Sequence, residues 1–172
     1  MTNAPLLGTA YYYRSLWLME QFAGLLGLSD DKQAFAQEML TVKQAFNKRF
    51  FNEKRGCYDN NTVTANLIPL CFKLVPEPYE QAVFQNLVKT IGSVHNNHVG
   101  TGLIGIQWLM RGLTLYGRGD LALKIATNRT YPSWGYMMEN GATTIWELWN
   151  GNTADPKMNS GNHVMLLGDV NS

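Results

Sequence analysis

The chain is 172 residues long, enough for one domain or a piece of one, and only 16% of it is charged, for a formal net charge of +1. That balance excludes a nucleic-acid or other polyanion partner, which needs a basic stripe. No run of 18 apolar residues is present to span a membrane. Five Trp, eight Tyr and seven Phe point instead to a large buried interior or a carbohydrate groove.

Residues 1–10 lack a charged start followed by an apolar run, so no signal peptide is read there, and the compartment stays open. Residues 11–28, entered after Gly8-Thr9-Ala10, are apolar nearly all round and predict a buried helix that ends at Gly27 and Ser29. Asp30 with Gln33 is a loose capping signal for the next helix. In it Phe35, Met39, Val42, Phe46 and Phe50 form one stripe, with Lys32, Gln37, Lys43 and Lys48 off it, as on an outer helix. Asn52 to Asn61 reads as a loop turning at Lys54-Arg55-Gly56, where the two charges are a solvated turn. Residues 62–74 are again apolar on most sides, and Pro69 is expected to kink or break that helix near Ile68.

Pro76-Glu77-Pro78 ends that segment. Pro78 suits the first turn of a second amphipathic helix, whose stripe is Val83, Leu87, Ile91 and Val94. His95-Asn96-Asn97-His98 is a polar loop. Residues 102–116 read as a buried helix ended by Gly117 and Gly119, and residues 120–127 as a short amphipathic one. A last helix is expected over about 159–170. Cys57 and Cys71 belong to no metal-ligand cluster. A disulfide between them stays open, although Cys71 in its apolar stretch reads as a buried thiol. Buried-type and amphipathic helices therefore alternate, as in an all-α toroid of inner and outer helices: an α/α toroid, about half of an (α/α)6 barrel. No internal repeat is evident, and no strand-like alternation stands out.

Candidate chemistry concentrates near the end of the chain. Trp134, Trp146 and Trp149, three of the five tryptophans, lie within 16 residues. Glu147 sits between two of them. A pyranose stacks its apolar face on an indole and needs fixed polar partners for its hydroxyls. A carboxylate desolvated beside Trp has its charged form disfavoured, which suits acid–base work. The bland alternative is a Trp-rich helix end with one satisfied Glu. His95 and His98 are two metal-type ligands without a third, and a structural loop is the plainer reading. Of the pair, His98 is nearer the Thr101 run and is the better candidate to face a barrel mouth. Glu139 reads as solvated, Asp155 as a loop residue and Asp169 as a helix residue.

Four runs occur in order: Thr101-Gly102-Leu103-Ile104-Gly105; Tyr131-Pro132-Ser133-Trp134; Gly141-Ala142-Thr143-Thr144-Ile145-Trp146-Glu147-Leu148-Trp149; and Met158-Asn159-Ser160-Gly161-Asn162-His163. Thr64-Ala65-Asn66-Leu67 and Leu74-Val75-Pro76-Glu77 add support. Together they resemble the C-terminal half of the catalytic domain of bacterial α-L-rhamnosidases, glycoside hydrolase family 78, and the resemblance covers nearly the whole chain. It implies hydrolysis of terminal α-L-rhamnosides with inversion, without a cofactor or metal. In such a reaction two carboxyl groups stand roughly 6.5–9.5 Å apart, one protonating the leaving oxygen and one activating water.

By motif position the resemblance makes Glu147 the general base and His163 a sugar contact. Trp134, Trp146 and Trp149 belong to the matched runs, and at least one of them is expected to line the pocket; His98, from its place before the Thr101 run, is a further candidate for the substrate site. The family more often has Arg after the base, where this chain has Leu148, and an aromatic residue where this chain has Gly161; both changes bear on the pocket rim. The Asp/Arg/Glu-rich run that carries the family's general acid has no counterpart between Met1 and Asn140. The expectation is a segment of a longer enzyme, inactive alone, with exposed apolar surface on which it self-associates. The alternatives are another α/α-barrel glycosidase, a sugar epimerase using His95 and His98, or a non-catalytic helical binding domain.

Overall fold

A computed structural model describes residues 1–146 and 148–150. The chain divides into two compact units, Met1–Asn86 and Leu87–Ser172.

In the first unit, α1 (Ala4–Leu25) and α2 (Ser29–Phe50) form a helical hairpin. Helix α1 starts seven residues before the expected Tyr11. Pro5 lies in its first turn, where a missing N–H costs nothing. Leu6 and Ala10 are fully buried, and that burial outweighs the poor propensity of Gly8 and Thr9. Nor is α1 buried all round. One stripe is covered (Leu6, Ala10, Tyr13, Leu16, Ala23), while Tyr12, Met19, Phe22 and Leu25 are exposed.

The outer character of α2 holds: Phe46 and Phe50 are buried, Phe35, Met39 and Val42 are half-buried, and Lys32, Gln37 and Lys48 face water. Lys43 departs from the expectation. It is half-buried, and its ammonium donates to the Lys73 carbonyl. The cap is Leu28, with Asp30 and Asp31 in the first turn, where negative charge suits the helix dipole.

The expected loop 52–61 contains a two-residue antiparallel ladder, β1 (Phe51–Asn52) against β2 (Cys57–Tyr58), too short for alternation to reveal. Helix α3 (Val63–Cys71) is capped by Thr62, whose Oγ1 accepts from the Ala65 amide at 3.2 Å. Every residue from Val63 to Leu70 is buried, as a buried helix requires. Pro69 does not break α3, because only two residues follow it and one helical bond is forfeited. The end closes as a Schellman motif: Leu74 N–H bonds the Pro69 carbonyl at 2.9 Å and Lys73 N–H the Leu70 carbonyl at 3.2 Å. Lys73 takes the left-handed position, with φ 59°.

A buried polar knot joins these pieces. Asn66, fully buried, accepts from the Tyr58 amide at 2.9 Å and donates to Asn61 Oδ1 at 2.8 Å and to the Thr62 carbonyl at 3.0 Å. Asn47 accepts from the Tyr58 hydroxyl at 2.6 Å and donates to the Leu74 carbonyl at 2.8 Å. Cys57 is buried and Cys71 half-buried, no disulfide joins them, and burial pushes the Cys71 thiol up to about 12. Cys57 has the less exposed surface, while the Cys71 thiol is the more strongly desolvated, as expected of its apolar stretch.

Helix α4 (Glu80–Ser93) begins after a turn of 3₁₀ helix at Glu77–Tyr79 and carries the chain into the second unit. Val83, Leu87 and Ile91 are buried as expected, but Val94 lies past the helix end and is exposed. Helix α5 (Leu103–Leu115) was expected to be buried on all sides. It buries one face (Gly105, Ile106, Leu109, Gly112, Leu113) and exposes Leu103 and Leu115. Gly117, at φ 77°, supplies the left-handed residue that ends it. Helix α6 (Gly119–Ala126) packs on α5, burying Leu121, Ala122 and Ile125. Gly119 starts α6 rather than ending α5. A short helix that the sequence did not suggest, α7 (Trp134–Glu139), follows. The helix expected over 159–170 lies outside the described residues.

Candidate functional site

The site region in the second unit is assembled from a turn, a loop and a short helix. Between α4 and α5, Asn96 and Asn97 both have positive φ, 49° and 58°, and the His98 amide bonds the His95 carbonyl at 2.8 Å, as in a type I′ turn. Asn is the non-glycine residue that best tolerates this backbone. The turn aims two carbonyls at the ring of His98. Nδ1 donates to the His95 carbonyl at 3.1 Å and to the Asn96 carbonyl at 3.0 Å, the tautomer that two acceptors require. Nε2 is hydrogen-bonded to Thr130 Oγ1 at 2.8 Å. The sequence reading gave His98 a sugar contact; here both of its ring nitrogens are engaged within the protein. The same contacts occupy the atoms that a metal or acid–base pair with His95 would use. The His95 ring lies against the Cα of Gly100, where a Cβ would sit 2.4 Å from it, and burial lowers its pKa.

Thr130 belongs to the loop between α6 and α7, whose length is set by its own polar groups. Asn128 Oδ1 accepts from the Thr130 amide at 3.1 Å and lies 2.9 Å from its hydroxyl oxygen, whose one hydrogen the bare Nε2 of His98 takes. The Tyr131–Pro132 peptide is cis. Ser133, fully buried, caps α7 by accepting from the Tyr136 amide at 2.9 Å. Gly135 presses on the preceding loop so closely that a Cβ there would lie 2.3 Å from the Asn128 carbonyl oxygen. Sequence reasoning missed Asn128, Thr130 and Gly135. Only Ser133, just before Trp134, had a local signal, that of a cap.

Trp134 opens α7. Its ring meets Trp149 edge to face, centroids 5.4 Å apart at 73°, so two of the expected aromatics do come together. Trp134 Nε1 is buried and has no acceptor among the described residues. Beside it is a cleft of about 540 Å³ lined by Thr127, Arg129, Trp134 and Glu139 among others. Arg129 and Glu139 pair at 2.7 Å on its rim, both largely exposed, so Glu139 is the solvated residue expected. Trp146 is half-buried. Glu147, His163, Asp155 and Asp169 lie outside the described residues. Among the described residues no group of three His, Cys, Asp or Glu is placed to hold a metal, and no helix is long and apolar enough to cross a membrane.

Comparison with known proteins decides the family. The model of the bacterial alpha-L-rhamnosidase six-hairpin glycosidase domain matches residues 1–172. The chain belongs to this family. An alpha-L-rhamnosidase of Formosa agariphila is 35% identical over 167 residues, which are 94% of this chain and 18% of that protein. One of Streptomyces avermitilis is 32% identical over 94% of this chain and 16% of its own length. Among solved structures, the alpha-L-rhamnosidase from Dictyoglumus thermophilum superposes with a TM-score of 0.86 at 38% identity, over 92% of this chain and 18% of that one. The Streptomyces avermitilis enzyme complexed with L-rhamnose superposes with a TM-score of 0.87 at 31% identity, over 96% and 16%. The fold is thus the helical α/α toroid class of these rhamnosidase domains. The chain spans less than a fifth of the length of the relatives it matches.

Proposed function

We propose that this rhamnosidase-family segment is the C-terminal part of the (α/α)6 catalytic domain of an enzyme that hydrolyses terminal α-L-rhamnosides with inversion, and that Glu147 is its general base. The observation that carries the reading is the family match over the full chain, which spans the aromatic corner of Trp134 and Trp149 and the run that holds Glu147. An indole face fits the apolar side of a 6-deoxy sugar.

In an inverting reaction Glu147 takes a proton from water as the water attacks the anomeric carbon. A carboxylic acid on the opposite face protonates the departing oxygen. That acid lies outside this segment, His163 contacts the sugar, and Trp134, Trp146 and Trp149 line the pocket. Without the acid the segment alone is inactive. The exposed Tyr12, Met19, Phe22 and Leu25 on α1 support self-association of the isolated segment, which light scattering reads; a monodisperse monomer counts against it.

The test of the activity is turnover of an aryl α-L-rhamnoside by the complete protein beside its Glu147→Gln variant. Wild-type activity with a loss of roughly 10²–10⁴-fold in the variant is expected for a missing general base. Activity that survives the change removes Glu147 from the mechanism. No turnover in either protein removes the rhamnosidase reading.

A further inference from the structure

We infer that His98 is a positioning residue that holds the Trp134 loop in place through Thr130, without touching the sugar itself. The inference rests on the reading of Trp134 as a pocket wall. His98 is 8% exposed, and its imidazole is fixed from one side by the His95 and Asn96 carbonyls. A ring held that way has one direction left for Nε2, and Thr130 Oγ1 lies there at 2.8 Å. Thr130 is itself exposed and stands 32 positions along the chain, so the buried ring anchors a surface loop from beneath.

The anchor is passed along the backbone. The Thr130 amide donates to Asn128 Oδ1, and Asn128 carries the carbonyl against which Gly135 is pressed. Asn128 Nδ2 reaches back to the Asn97 carbonyl at 3.5 Å, a second and weaker tie to the turn that holds His98. Between the two ends of this closure lie the buried cap Ser133 and the indole of Trp134. Displacing Thr130 therefore displaces the wall against which the sugar stacks. Its cost falls on binding, so KM rises and kcat is retained.

The experiment uses the complete protein and the variants His98→Gln, Thr130→Val, Thr130→Ser and the double variant His98→Gln/Thr130→Val. KM for an aryl α-L-rhamnoside is expected to rise about 3- to 10-fold in His98→Gln and in Thr130→Val, the value of one neutral hydrogen bond. It is expected to return close to wild type in Thr130→Ser and to be no worse in the double variant than in either single one. Amide exchange is expected to quicken in peptides covering 128–140 and to stay unchanged across α1 and α2.

A KM effect in His98→Gln alone, or effects that multiply in the double variant, gives His98 a separate role and overturns the inference. Unchanged exchange over 128–140 in Thr130→Val, the mildest change, overturns it as well. Wild-type protein that neither turns over the rhamnoside nor binds L-rhamnose defeats the rhamnosidase reading. The exchange pattern then decides the clamp by itself, with matching, non-additive loosening of 128–140 supporting it and no loosening refuting it.

Discussion

The knot around Asn66 and the loop around Thr130 are built from the same materials, short polar side chains and tightly turned backbone, yet they sit in opposite surroundings. Asn66 is fully buried and spends its amide on three partners within the protein. Thr130, Arg129 and Tyr131 are exposed, and one buried ring tethers them. A polar group under cover must be satisfied completely, because water cannot replace a lost partner. At the surface water can, so the loop's bonds govern its position more than the stability of the fold.

Asn66→Ala tests that contrast most severely. It strands the buried Tyr58 amide, while Asn61 Oδ1 keeps Asn86 and the Thr62 carbonyl keeps the amide of residue 66, and a loss of about 2–3 kcal/mol is expected in urea unfolding, within the about 1–3 kcal/mol of a buried orphaned group. An effect below about 1 kcal/mol would put the knot on the same footing as the loop. Gly135→Ala is next. Its Cβ meets backbone at 2.3 Å, not the end of a flexible chain, so the loop must move. About 1–3 kcal/mol of stability is expected to be lost, as for overpacking, with quickened exchange over 128–140.

The two helix caps sharpen the comparison. Thr62→Ala and Ser133→Ala each remove a cap bond, of 3.2 and 2.9 Å, and each is expected to cost about 1 kcal/mol. Only the change at Ser133 is expected to raise KM for a rhamnoside. The smallest effect concerns Cys71. Its thiol, pushed by burial from 9.0 to about 12, loses a proton less readily when folded than unfolded. The resulting stabilisation is present below pH 9 and is lost as pH rises toward 12. Alkylation of the native chain by iodoacetamide at pH 8 is expected to leave Cys71 unmodified, and prior unfolding to expose it.

The parts that were legible in the sequence are those fixed by local periodicity. The stripe from Phe35 to Phe50 and the run Val83, Leu87, Ile91 each repeat over two or more turns, and both faces are where the spacing puts them. Helix α1 was misread at its start because Gly8 and Thr9 look like an entry, while the buried Leu6 and Ala10 that override them act through contacts far along the chain. Helix α5 was misread because an apolar composition does not say how many of its sides are covered. At the site, Trp134 and Trp149 were legible from composition and family pattern. The His98–Thr130 bond was not, since no motif joins positions 32 apart and the ring's other partners are backbone carbonyls, which carry no sequence signal.

The contact between Gly135 and the Asn128 carbonyl has a consequence for how such a protein diversifies. It makes residues 128–135 a closed cassette whose length is fixed at both ends, so an insertion has nowhere to go without opening it. Arg129 and Tyr131 nonetheless stand out toward solvent within that frame. New preferences at this rim therefore arise by exchange of side chains on a constant backbone, and a library that varies 129 and 131 while keeping 128, 133 and 135 samples recognition without sacrificing the loop.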